Sequence, residues 1–175
     1  MRKTYSRIGS GDEMELYFKD NFFSAGTSAI MDAAGESLGT IDLKSSFGSS
    51  LDIYDQTGVK VCGGKFPFFS GKWHISHGED VILGVVRMRL SFFTKKFEYD
   101  AKDRGQFEIT APAFTNEYRV QDSYGQTVAT FNRTSSWLQS GAFCLHNHST
   151  LLDSYELIAV VMGIHAIQKQ ANAAT

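Results

Sequence analysis

Leu157-Ile158-Ala159-Val160-Val161-Met162-Gly163-Ile164-His165-Ala166-Ile167 is apolar around nearly the whole circumference of a helix. That is the pattern of a helix buried on all sides, not of one resting a single stripe on a core. The run is too short to cross a bilayer. Asp153 followed three residues later by Glu156 is a variant of the capping-box start, and Lys169 complements the negative end of the dipole. A helix is therefore predicted over about 154–169, roughly 24 Å long. A helix with no wet face needs a wall on every side.

The rest of the chain supplies strands for that wall. Gly is common at 16 residues, Pro scarce at 2, and aromatic residues reach 13%. An aromatic-small signature recurs at Phe22-Phe23-Ser24, Phe47-Gly48, Phe68-Phe69-Ser70, Phe92-Phe93-Thr94, Phe114-Thr115 and Trp137-Leu138, about every 21 to 24 residues. Alternating stretches follow, as in Leu51-Asp52-Ile53, Trp73-His74-Ile75, Phe97-Glu98-Tyr99 and Tyr118-Arg119-Val120, with apolar side chains on one strand face. Turns come next at Asp32 to Gly35, Asp55 to Gly58, Ser76 to Gly78, Asp100 to Gly105 and Asp122 to Gly125, where Asp caps and Gly takes the positive φ. A second apolar strand completes each β-hairpin, for example Val59-Lys60-Val61, Val81 to Leu90 and Thr127 to Phe131.

Six such units give about twelve strands, more than an open twisted sheet carries without curling. Closure removes the edges, and the interior is then too wide for side chains to meet across it. The apolar helix is the filling. The fold class read from the sequence is mainly β: a closed antiparallel barrel of about twelve strands around a central hydrophobic C-terminal helix.

The chain resembles the LURP-one-related family of the tubby C-terminal-like superfamily. The resemblance rests on Met14 to Ser24, Ile30-Met31-Asp32 with Gly35, the repeated Phe-Phe-Ser or Phe-Phe-Thr element, and the ending Tyr155 to Ile167. It implies a twelve-stranded barrel around a central helix, and it covers about residues 14 to 169. Residues 1–13 have no counterpart in it and read as a flexible extension, leaving 14–170 as the barrel domain. His165 stands where related chains often carry an acidic residue. Tubby-like relatives bind phosphoinositides, so the resemblance also implies lipid recognition as one function of such a barrel.

At 175 residues, with 42% hydrophobic and 21% charged residues, the chain has the balance of one domain with a substantial core. A net charge of -2 excludes a broad attraction to nucleic acid or anionic membranes, so any such attraction is local. The opening residues lack an apolar core and a small-residue cleavage site, and cytosol, with a possible peripheral membrane association, is the expected compartment. Cys62 and Cys144 are expected to be reduced and buried.

No G-x-S-x-G elbow, Walker-type loop or G-x-G-x-x-G is present, and no cofactor is implied. His146 and His148 share a strand face but lack a third ligand, while His74 and His77 fall on opposite faces, so no metal site is expected. Cys144 next to His146 is the germ of a Cys–His pair, and a packed strand thiol is the plainer reading. Arg87 and Arg89 point the same way on one strand, with Lys95 and Lys96 around the next corner, and together they form a candidate face for an anion or lipid headgroup. Glu98, Asp100 and Asp103 follow closely, which also fits an ordinary solvated face. The function expected is a non-catalytic binding or scaffold module for an anionic phospholipid or a protein partner. The alternative is a metal-dependent or small-ligand enzyme using His146, His148 and Cys144.

Overall fold

The computed structural model of the chain describes residues 15–19, 25–44, 49–68, 70–79, 81–89, 95–111, 117–134 and 142–174. The expected extension over residues 1–13 lies outside them. Twelve strands are present among the described residues: β1 (Glu15–Lys19), β2 (Gly26–Met31), β3 (Ser37–Leu43), β4 (Ser50–Asp55), β5 (Lys60–Lys65), β6 (Trp73–His77), β7 (Val81–Arg89), β8 (Lys95–Asp100), β9 (Gln106–Ala111), β10 (Glu117–Gln121), β11 (Thr127–Thr134) and β12 (Ala142–Asn147). One helix, α1 (Ser154–Ala173), follows. Each strand pairs with its neighbour in sequence, and β12 pairs antiparallel with β1, closing the barrel.

The period-two alternation does what the sequence requires of it. Leu51, Ile53, Trp73, Ile75, Phe97, Tyr99, Tyr118 and Val120 all face inward and are buried. The hairpin turns repeat one chemistry. Asp32, Asp55 and Asp122 each accept hydrogen bonds through Oδ1 from the backbone N–H groups two and four residues on, at 2.8–3.0 Å. Gly35, Gly58 and Gly125 supply the left-handed residue each such turn needs, with φ of 84°, 81° and 77°.

Five of the six units are the hairpins β2–β3, β4–β5, β6–β7, β8–β9 and β10–β11. The sixth is split, because β12 finds its second strand in β1 at the other end of the chain. All the tight turns therefore lie on one rim, the turn rim, where β12 also hands over to α1. The longer connections leave from the opposite rim, called here the loop rim. Of the aromatic-small signatures, Phe68 and Ser70 are described and fall in a loop-rim connection, and the others lie outside the described residues.

The helix runs from the turn rim through the barrel. Leu157, Ile158, Ala159, Val160, Val161 and Ile164 are fully buried on every side by inward strand residues. Two details differ from the sequence expectation. Asp153 caps the helix by accepting from the Tyr155 N–H at 2.8 Å, but Glu156 does not reach back to complete a capping box, because Arg104 and Tyr99 hold its carboxylate. The helix also continues to Ala173, since Gln168, Lys169, Gln170, Ala171 and Ala173 are good helix formers, so Lys169 is not in the last turn.

The closest fit between helix and wall is at Trp73. Its indole lies between Gly64 of β5 and Gly163 of α1, and a Cβ on Gly163 would stand 2.2 Å from Trp73 Cδ1, one on Gly64 2.4 Å from Cζ2. A mid-helix glycine ordinarily costs about 1 kcal/mol relative to alanine. Here it is the condition for the wall to touch the axle. Gly163→Ala is therefore expected to destabilise the protein by about 1–3 kcal/mol despite its better helix propensity, as overpacked cores do. Urea denaturation checks this, and a gain in stability would mean that the contact with Trp73 does not constrain the helix.

Candidate functional site

The basic residues singled out in the sequence do share the outer wall, but most are occupied. Arg87 faces Glu98 across β7 and β8, and both Arg87 and Arg89 donate to the two oxygens of that carboxylate. Burial alone would raise the Glu98 carboxyl, and the hydrogen bonds from Arg89 and Arg87 outweigh it and hold the group below its usual range. Lys96 Nζ bonds Glu108 at 2.9 Å. The Lys95 side chain lies outside the described residues, although its backbone pairs with Ala111. An outer groove of about 550 Å³ beside this face is lined by Arg89 together with Glu98, Glu108 and Asp122. Three described cations thus meet two carboxylates, Glu98 and Glu108, so most of the positive charge of this face is already engaged.

Cys144 and His146 stand side by side on the outside of β12. Cys144 Sγ is 3.5 Å from His146 Nε2, and His146 Nδ1 is 3.6 Å from Glu15 Oε1 on the paired strand. Tyr17 closes the row by donating to Glu15 at 2.7 Å. This has the order of a thiol, a base and an orienting carboxylate. However, Cys144 is buried, and burial, augmented by Glu15, raises its thiol above the ordinary value despite a hydrogen bond with Tyr17. A thiol held in the protonated form is a weak nucleophile. His148 is exposed beyond the strand, with its N–H donating to Val128. Among the described residues no group of three or more His, Cys, Asp or Glu is placed to hold a metal ion.

A pocket of about 380 Å³ opens where the helix begins, at the turn rim. Its base is the buried Glu156 held by the half-buried Arg104, a bidentate contact with both distances 2.7 Å. Arg104 also donates to the Leu83 and Leu151 carbonyls at 2.8 and 3.4 Å, and the Tyr99 hydroxyl donates to Glu156. Every oxygen of the carboxylate is engaged, as a charge so deeply buried requires. Asp55 and Asp153 add negative charge to the pocket. Burial, then those two carboxylates, push the Tyr155 phenol up to about 12. The pocket is unsuited to an anion. His77, inward-facing as its spacing from the outward His74 requires, lines the same pocket, its Nδ1 2.8 Å from the Val61 carbonyl oxygen.

The loop rim has the opposite character, which the sequence reading did not single out. The connection from β5 to β6 begins at the exposed Lys65 and ends at the exposed Lys72. His74 stands opposite Lys65 in register. Burial, then Lys72 and Lys65, lower the His74 imidazole, as expected in a positive field. Phe68 at the tip is 89% exposed. The described residues of the connection are tied by Phe66 N–H to Ser49 O at 3.2 Å, Ser70 N–H to Pro67 O at 3.0 Å, and Lys72 N–H to Ser70 Oγ at 3.1 Å. Phe66 packs edge-on against Trp73, with ring centroids 5.0 Å apart. The available signal was Pro67 between Lys65 and Lys72, which marks the Phe-Phe-Ser element as a loop tip instead of strand.

A closed antiparallel barrel of twelve strands with a hydrophobic helix along its axis is the tubby C-terminal-like architecture. A protein from Arabidopsis thaliana solved by X-ray crystallography shares it, with a TM-score of 0.62 and 15% identity over 89% of this chain and 91% of that one. The family model described as LURP-one-related matches residues 14–156, and the chain belongs to that family. No curated protein is significantly similar to the chain. Among the described residues no helix is long and apolar enough to cross a membrane.

Two buried polar groups give testable consequences. Arg104→Ala strands the Glu156 carboxylate, so a loss of about 3–5 kcal/mol is expected in chemical denaturation, partly restored when Glu156→Ala is added; no recovery in the double variant would mean that packing, not the orphaned charge, sets the cost. At the other end of the helix, His165 Nε2 bonds the Tyr118 hydroxyl. Burial, with Arg133 nearby, pulls His165 from 6.5 to about 3. Between those values the unfolded chain binds a proton that the folded chain refuses, so this group's contribution to stability is complete above 6.5 and falls as pH drops toward 3. His165→Leu is expected to flatten the acid limb of the melting temperature against pH, and an unchanged slope would assign that limb to other groups.

Proposed function

We propose that the protein is a non-catalytic binding module that docks its loop rim on an anionic phospholipid surface. The supporting observation is the segregation of charge between the two rims, which the net charge of -2 conceals. The described connections on the turn rim carry six carboxylates, Asp32, Glu36, Glu79, Asp103, Asp122 and Asp153, against the two cations Lys102 and Arg104. The described connections on the loop rim carry Lys44 and Lys72 and no carboxylate. Lys44 is held by Asp42 and Asp52, whereas Lys65 and Lys72 have no carboxylate within ion-pair distance among the described residues.

The lipid-headgroup role expected of Arg87, Arg89, Lys95 and Lys96 moves, on this reading, to the neighbouring Lys65 and Lys72. Lysines near an anionic bilayer contribute about 1 kcal/mol each, so the pair supplies a weak, salt-sensitive association. The enzyme reading names His146, His148 and Cys144, of which Cys144 and His146 stand together with Glu15 while His148 lies beyond the strand. A buried, protonated thiol on a convex outer wall favours packing there.

Sedimentation with phosphatidylserine-containing vesicles tests the proposal. Binding is expected at low ionic strength, to weaken as salt is added, and to fall by one to two orders of magnitude in Lys65→Glu/Lys72→Glu, an effect of roughly 2 kcal/mol. Arg89→Gln/Lys96→Gln should bind nearly as the parent does. Absence of sedimentation at low salt, or binding indifferent to the Lys65 and Lys72 changes, overturns it.

A further inference from the structure

Six large apolar residues stand exposed among those described: Val59, Phe68, Val81, Met88, Tyr124 and Leu151. Four of them sit on the acidic turn rim, beside Asp55, Glu79, Asp122 and Asp153. Phe68 and Met88 alone lie toward the basic end. Met88 is two residues beyond Val86, the register partner of Trp73, so it stands on the same rim as the β5–β6 connection. An apolar tip in a connection bounded by Lys65 and Lys72 combines the two components of interfacial binding, a side chain that partitions out of water and cations that meet phosphate.

Resting on the reading of the loop rim as a lipid-binding surface, we infer that the β5–β6 connection is a membrane wedge: Phe68 enters the boundary between headgroups and acyl chains of an anionic bilayer, while Lys65 and Lys72 meet the phosphates. The occupant is a bilayer and not a free headgroup, because a soluble headgroup has nothing to cover Phe68.

The wedge is built in advance. Pro67 fixes its own φ and offers no donor to a strand. Phe66, directly before it, packs on Trp73, and Trp73 is held between Gly64 and Gly163. The tip thus stands on a column of rings that ends on the helix. Little conformational entropy remains to be lost when it inserts.

Phe68→Trp in the full chain, mixed with phosphatidylserine and phosphatidylcholine vesicles carrying brominated acyl chains, reads insertion directly. The substituted indole is expected to be quenched beyond the level that Trp73 and Trp137 show in the parent chain. Phe68→Ser should keep the parent's melting temperature while binding about tenfold more weakly. Glycerophosphoserine, a headgroup without chains, should neither compete nor bind. If the parent sediments but Phe68→Trp shows no added quenching and Phe68→Ser binds equally well, the wedge is overturned while lipid docking stands. If glycerophosphoserine displaces the vesicles, the site is a headgroup pocket and the wedge is again overturned. Failure of the parent to sediment at all removes both.

Discussion

A barrel of twelve strands is too wide to be filled by its own inward side chains, and everything else in this molecule depends on how that volume is occupied. One helix fills it, so completely that Leu157 to Val161 and Ile164 have no contact with water. The fit requires the wall and the axle to approach closely at one height. Gly64, Trp73 and Gly163 make that approach, with a large flat ring between two residues that have no side chain to refuse it. The two pockets described above open at the turn rim and on the outer wall.

The rims differ because different chemistry builds them. On the turn rim, a hairpin that reverses in four or five residues needs its amides satisfied, and in three hairpins an aspartate does this with one oxygen. An acidic rim is thus partly a by-product of folding. The helix start adds Asp153 and Glu156 for the same kind of reason, as cap and as partner to Arg104. The loop-rim connections are under no such demand for carboxylates. Lysines and aromatic residues can gather there without opposing the turns, and the molecule acquires a polarity that its total charge of -2 does not disclose.

Much of the fold was legible because its rules are local. Period two located the strands, Asp and Gly located the turns, and an all-round apolar run located the helix, all within short windows of sequence. The split sixth unit was not legible in that way, since pairing Glu15 with His146 joins residues from opposite ends of the chain. The candidate site fared worse for the same reason. Arg87 and Arg89 were correctly placed on one face, but their electrostatic fate is decided by Glu98, which reaches them only through the register of β7 and β8. Glu156 was similarly read from its spacing as a cap partner, while its carboxylate is claimed by Arg104 from another part of the barrel. Spacing predicts which way a residue points. It does not predict what waits across the strand.

The helix and the loop rim are mechanically one object. Gly163 receives Trp73, Trp73 carries Phe66 on its edge, and Phe66 adjoins the exposed tip. A displacement of the helix along the barrel axis would press on the indole first, because at Gly163 the separation is already that of a missing side chain. Elsewhere the wall meets the helix both through aliphatic side chains and through Tyr118 and Phe143, whose rings pack against His165. The ion pair of Arg104 with the buried Glu156 resists such movement at the turn rim, where the guanidinium is also tied to the Leu83 and Leu151 carbonyls. Anchored at one end by charge and indexed in the middle by a ring, the helix fixes the height at which the β5–β6 connection stands above the rim. The position of the most exposed apolar side chain in the described structure is therefore set by the most buried element.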